Sequence, residues 1–221
     1  TEIYTLSLHD ALPIYQPQVG AELYEAASFE PLRIESITEQ IRLLSFHSCT
    51  DVLEVGVGKG LLKSFLKNFP QIRHRSLDIA PDLNPDFVGS VLQMPFADRQ
   101  FETVLCCQVL EHLPFEEFER ALRELRRVSR RLVIVSLPDR RRRLGLGLCL
   151  LRLGWRKFEL GLPGSSLERT AMCPRHFWEI GHARATRMSA VLAHMRAAGF
   201  TVLCRHRLER HQWHSFFQLR P

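Results

Sequence analysis

The apolar pair Val52-Leu53 runs directly into Glu54-Val55-Gly56-Val57-Gly58-Lys59-Gly60, and few chain paths accommodate that succession. It reads as a strand that ends in a glycine-rich loop. Glycines at 56, 58 and 60 let the backbone turn tightly and approach a ligand where a side chain would clash. Leu61-Leu62, Phe65-Leu66 and Phe69 then recur at helical spacing until Pro70 stops them. Strand, glycine loop and helix in that order form the opening of a nucleotide-binding βαβ unit.

The glycine spacing separates the nucleotide classes. A dinucleotide fingerprint has its third glycine three positions after the second, where this chain has Leu61. The loop is instead G-x-G-x-G with an acid two residues ahead of the first glycine, which favours S-adenosylmethionine and disfavours a nicotinamide-dependent oxidoreductase. Arg75-Ser76-Leu77-Asp78 reads as a second strand ending in a carboxylate about 20 residues past the loop, where an acid can accept both ribose hydroxyls. Asp78 is the expected ribose anchor; a helix cap or surface carboxylate is the plainer alternative.

Further along, Met94-Pro95-Phe96-Ala97-Asp98-Arg99-Gln100-Phe101-Glu102-Thr103-Val104 precedes Val109-Leu110-Glu111-His112-Leu113. With these residues the stretch from about 51 to 139 resembles the type-11 methyltransferase family of the class I S-adenosylmethionine-dependent enzymes. The resemblance implies an α/β fold, a Rossmann-like doubly wound seven-stranded sheet, mostly parallel with an antiparallel last strand. It also implies S-adenosyl-L-methionine as cofactor. Glu54 would then lie near the cofactor's amino-acid end, the backbone at Gly56, Gly58 and Gly60 along its adenosyl part, and Asp78 on its ribose. Ser90 and Val91 fall where the adenine is met, although the family often has Asp at the serine, and Gln108 at the exit of strand four completes the cofactor set. Glu102 stands where Asp is common. His112 is a candidate catalytic residue, with an ordinary helix-start position as its alternative.

The remaining pattern alternates as a doubly wound sheet should. Ile34, Ile37, Ile41 and Leu44 mark a leading helix over 33–46. Phe115, Phe118, Leu122 and Leu125 share a helical face over 115–128, with Glu119 and Arg123 at ion-pair spacing. Residues 132–137 are too continuously apolar for a strand with one wet face. A helix through Met188, Val191, Leu192 and Met195 closes at Gly199, and strands at 200–204 and 213–219 follow.

Residues 139–187 exceed what a minimal domain needs between strand five and that helix, and an insertion there lines the site above the strand ends. It contains His176-Phe177-Trp178-Glu179-Ile180-Gly181, similar to an "H.WEIG" signature of a bacterial subgroup of these methyltransferases. Glu179 and His176 are candidates to orient or deprotonate an acceptor, and Trp178 to wall the substrate beside the sulfonium; a turn held by a buried tryptophan is the alternative. Arg140-Arg141-Arg142-Arg143 before Leu144 reads as a solvated basic loop preceding a lid helix, or as a surface for an anionic substrate or a membrane interface. The net charge of +6 attracts polyanions in general. Nucleic-acid bases are disfavoured as acceptors, because Cys107-Gln108-Val109-Leu110 is neither an N/D-P-P-Y motif nor a Pro-Cys pair. The expected activity is methyl transfer to a small-molecule or lipid- or sugar-linked acceptor. The alternative is a non-catalytic methyltransferase-fold protein that binds an anionic partner through the basic insertion.

At 221 residues the chain suits one domain. Six cysteines without a C-x-x-C pair indicate neither a zinc site nor a disulfide scaffold, so no metal is expected and a reducing cytoplasm is the simplest setting, with peripheral membrane contact an option. Oligomeric state is not encoded legibly. Residues 4–14 resemble the in-frame translation of a sequencing adapter, so the domain is expected over 15–221, and His9 and Asp10 are left out of the chemistry.

Overall fold

The computed structural model describes residues 31–139, 141, 143–150, 154–161, 172–208 and 214–221. The adapter-like stretch, Arg140 and Arg142 lie outside them. In chain order the elements are α1 (Pro31–Phe46), β1 (Asp51–Val55), α2 (Leu61–Leu66), β2 (Arg73–Asp78), β3 (Phe87–Val88), β4 (Phe101–Cys107), α3 (Phe118–Val128), β5 (Ser129–Pro138), β6 (Arg143–Leu150), β7 (Gly154–Gly161), α4 (Met188–Ala197), β8 (Thr201–Arg207) and β9 (His214–Arg220).

Seven strands form one sheet in the order β3-β2-β1-β4-β5-β9-β8. β1 pairs in parallel with β2 and β4, and β4 with β5, while β9 runs antiparallel to both β5 and β8. This is the Rossmann-like sheet expected from the sequence, with its single reversed strand. Burial explains the composition of its centre: Val52, Leu53, Val104, Leu105, Val133, Ile134 and Val135 are at most 1% exposed, so neither face of the middle strands meets water. One core lies under α3 and α4 around Phe101, Phe118, Leu122, Leu125, Trp178 and Met195. The other lies under α1 and α2 around Leu43, Leu44, Leu62, Leu66 and Phe216. At about 25 cal/mol per Å² of apolar surface removed from water, these two layers are the main source of stability.

Two sequence expectations change. The leading helix turns Ser36, Gln40, Leu43 and Leu44 inward, whereas Ile34 is 47% exposed, so the buried face is set by the sheet rather than by the isoleucine spacing. Residues 143–150 and 154–161 form an antiparallel pair of strands, with Leu144 opposite Leu160 and Cys149 opposite Trp155, in place of the expected lid helix. Leucines at 144, 146, 148 and 150 repeat every second residue, which suits a strand and not a helix.

α1 is fastened to β8 by Glu39, which accepts hydrogen bonds from Arg42 in its own helix and from His206. Burial raises the Glu39 carboxyl, but these two donors outweigh it and hold its pKa down at about 2. A carboxyl whose folded pKa is depressed stabilises fully above its ordinary value and loses that contribution as pH falls through the folded one. Glu39→Gln is therefore expected to destabilise the fold at neutral pH and to shrink the stability lost between about pH 5 and pH 2, as read from denaturant melts across that range.

Candidate active site

The glycine loop sits at the carboxyl end of β1. Gly56, Gly58 and Gly60 have φ of 85°, 50° and 66°. At Gly56 the need for glycine is doubled, because a Cβ there would lie 2.2 Å from Cγ2 of Val109. Any side chain at 56 would push apart the exits of β1 and β4, whereas a Cβ on Gly60 meets nothing within 4 Å and faces open space. The loop is pinned from β2: Gly56 N–H donates to the Leu77 carbonyl at 2.8 Å, and Asp78 accepts from Val57 N–H at 2.8 Å and from Ala80 N–H at 3.0 Å. Each Asp78 oxygen keeps lone-pair capacity beyond these bonds, so the residue can shape the loop and still accept a hydroxyl.

Glu54, 6% exposed, accepts from His74 Nε2 at 2.9 Å. Burial raises its carboxyl, against the pull of His74 and the Lys63 charge. Ser90 accepts from Leu92 N–H at 3.2 Å and Val91 is buried, both just after β3. Gln108 leaves β4 at φ 60°, held twice by Ser136, through its backbone N–H to the carbonyl and its side-chain amide to the hydroxyl. Such strain persists only where surroundings over-determine it. The eight residues of the expected cofactor set thus lie at the carboxyl ends of β1 and β2, just after β3 and at the exit of β4, the rim where such sheets take ligands.

Beside this rim a second group assembles. Residues 173–180 are zipped onto the turn Leu110–His112 and its neighbour Leu113: Phe177 N–H donates to the Glu111 carbonyl, His112 Nδ1–H to the Arg175 carbonyl at 3.0 Å, and Trp178 Nε1–H to the Leu113 carbonyl at 3.1 Å. Ile180 N–H then reaches the Pro138 carbonyl at the end of β5. His176 Nδ1–H donates to Glu179 Oε1 at 2.8 Å, and the two rings of His112 and His176 meet edge to face, 5.1 Å apart. The sequence candidates His112, His176 and Glu179 are therefore brought together. Trp178 is not: it is 2% exposed, with its ring 4.9 Å from both Phe115 and Phe118, and serves as a core anchor instead of the expected substrate wall.

Burial dominates the electrostatics here. It pulls His112 down to about 4, aided by the charge of His176, and His214 at the start of β9 to about 4, so both imidazoles are neutral at pH 7. Glu111, fully buried, is pushed up to about 8 by burial and by the Glu179 charge. Cys107, half-buried at the end of β4, has its thiol pushed up to about 12 by burial and by the Glu54 and Glu111 charges against a hydrogen bond with Ser136, which disfavours the thiolate. Glu111 and His214 escaped the sequence reading. Glu111 did carry a signal, since the residues three and four away from it on either side are Cys107, Gln108, Pro114 and Phe115, with no basic partner in reach.

The basic run is partly spent on structure. Fully buried Asp139, at the end of β5, accepts from Arg141 at 2.6 Å and Ser215 at 2.6 Å, pairs with Arg207, and is held below the usual carboxylate range by them against its burial. Arg141 is thus committed to Asp139 and not to an anionic ligand.

Residues 53–135 match the model of the family described as Methyltransferase domain, type 11. That match takes in the glycine loop, Asp78 and the Glu111-His112 turn and covers less than half of the chain. S-adenosylmethionine is the cofactor of the family, and the glycine cradle with Asp78 and Glu54 fits it. Over 115 residues the chain is 35% identical to an uncharacterised protein of Methanocaldococcus jannaschii, covering 46% of this chain; it spans 48% of that relative's length. In fold it is similar to the 1,6-didemethyltoxoflavin-N1-methyltransferase of Burkholderia thailandensis, at TM-score 0.56 and 13% identity over 90% of this chain and 82% of the other. It is also similar to the magnesium protoporphyrin IX methyltransferase of Synechocystis PCC 6803 in complex with S-adenosylhomocysteine, at TM-score 0.57 and 14% identity over 86% and 87%.

Two substitutions separate the roles of these residues. Asp78→Ala is expected to weaken S-adenosylhomocysteine binding by on the order of 1.5 to 3 kcal/mol, through the lost acceptor and the loosened loop, while the protein still folds, with a modestly lower melting temperature from the two freed backbone donors. Trp178→Ala should instead cost about 3 to 5 kcal/mol of stability in chemical denaturation, the toll of an emptied aromatic core site.

Proposed function

We propose that this protein transfers the methyl group of S-adenosylmethionine to an oxygen, nitrogen or similar nucleophile of a small-molecule or lipid- or sugar-linked acceptor. One observation carries the reading: the cofactor rim and the acid–histidine cluster are adjacent, joined through Val109, which touches the Gly56 loop two residues before Glu111. When bound, the cofactor supplies an electrophilic methyl group on a sulfonium. The side chains need only hold the acceptor in line and keep water out.

In this reading Asp78 and Glu54 hold the ribose and amino-acid ends, Ser90 and Val91 lie along the adenine, and Gln108 shapes the floor between cofactor and acceptor. His112, His176 and Glu179 receive the polar end of the acceptor. A neutral His112 can take the proton of a hydroxyl, while for an amine the cluster has only to position it. No helix among the described residues is long and apolar enough to cross a membrane. Residues 143–161 lie near in sequence to the cluster and are the place to look for acceptor selectivity, including any contact with a lipid surface.

Calorimetric titration with S-adenosylhomocysteine and with NADH, followed by transfer of labelled methyl from the cofactor to pools of hydroxylated, glycosylated and lipid-linked compounds, tests the reading. Binding of S-adenosylhomocysteine alone and labelling that drops in His176→Asn at unchanged cofactor affinity are the expected results. Cofactor binding with no labelling of any pool would favour the non-catalytic alternative, and NADH binding would end the methyltransferase reading.

A further inference from the structure

Buried carboxylates normally find donors on other residues, and Glu111 does not. It is 0% exposed, and beyond its own backbone N–H neither carboxyl oxygen has a hydrogen-bond partner among the described residues. Leaving such a group dry and unpaired is costly enough that native structures supply a proton, a donor or a cation. What faces it is a pair of imidazoles, with one candidate ligand atom each from Glu111, His112 and His176 lying within 4.8 Å of one another.

The orientation of both rings is set from behind. His112 gives its Nδ1 proton to the Arg175 carbonyl and His176 gives its Nδ1 proton to Glu179, which makes Nε2 the lone-pair nitrogen of each. A histidine whose far nitrogen is engaged by a carbonyl or a carboxylate is the usual outer-sphere arrangement behind a metal-bound imidazole, since it fixes the tautomer and raises the basicity of the ligating nitrogen. Glu179 is 1% exposed and itself fastened by Cys173 N–H, so the support is rigid. His214, close enough to His176 and Glu179 for their charges to act on it, has a buried Nδ1 with no hydrogen-bond partner among the described residues.

We propose that Glu111, His112 and His176 bind a divalent transition-metal cation of the zinc class. Two imidazoles and one carboxylate form the three-protein-ligand set that such ions take when a further position is left for water or substrate. Hard oxygen-seeking ions such as magnesium and calcium are a poorer match, because two of the three ligands are nitrogens. The ion would neutralise Glu111. It also deepens the methyltransferase reading, on which this second step rests: an ion held by these residues would sit near the cofactor rim and could take an oxygen of the acceptor. His112 then acts as a ligand rather than as a proton acceptor. The six cysteines play no part, and the site is of a kind that their spacing could not announce.

The test begins with protein stripped by chelator and dialysed. Titration with zinc chloride should give one tight site and raise the melting temperature, and cobalt substitution should give weak visible bands without the intense thiolate charge-transfer absorption. Glu111→Gln and His176→Asn should abolish the site, and Glu179→Gln, acting only through His176, should weaken it about 10- to 100-fold. Absence of a stoichiometric site in the parent protein, thiolate absorption in the cobalt form, or undiminished binding in both ligand variants would overturn the proposal. Should one variant fold poorly, as its circular dichroism would reveal, the other and the graded Glu179→Gln effect still decide. S-adenosylhomocysteine titrations on the same samples keep the two readings apart, since failure of the methyltransferase reading removes cofactor binding and leaves the zinc site standing.

Discussion

The indole of Trp178 holds the candidate site together. Its ring packs edge to face against the stacked pair Phe115 and Phe118, and its N–H is spent on the Leu113 carbonyl. That anchorage fixes the backbone on both sides, so His176 and Glu179 are presented to Glu111 and His112 with little freedom of their own. Polar groups in a dry pocket keep defined orientations only if something apolar supports them, and here one residue supplies that support for four.

The same region concentrates unusual free-energy terms. Glu54, Glu111, Glu179 and Asp139 are four buried carboxyls near the carboxyl ends of the parallel strands, and each is treated differently. Glu54 has His74, Asp139 has Arg141 with Arg207 and Ser215, and Glu179 has His176 with Cys173 N–H. Glu111 alone among them relies on its surroundings to be neutral or to be met by a cation.

Much of this was legible in the residues. The glycine loop, Asp78 and the alternation of apolar runs specify the parallel half of the sheet, because those features depend on local backbone geometry and on burial from both faces. The reversed strand was also readable, from two closely spaced strands after α4. What failed depended on tertiary context. Trp178 looks the same in sequence whether it walls a pocket or fills a core, and only its contact with Phe115 and Phe118 decides. The strand pair 143–150 and 154–161 follows from leucines that repeat every second residue, a period that the expected lid helix does not fit. The inward face of α1 is chosen by the sheet beneath it, and His214 comes to the site from about a hundred residues beyond Glu111.

β8 touches the sheet only through β9, and β9 fills the gap between β8 and β5. β8 and β9 therefore join the parallel strands along one edge only, that of β5. The glycine loop and Asp78 need only β1, β2 and β4, whereas His214 and Ser215 reach the rim only when β9 is seated. The glycine cradle and the environment of the acid–histidine cluster consequently draw on different strands, so a lesion confined to β9 strikes the second and spares the contacts of the first.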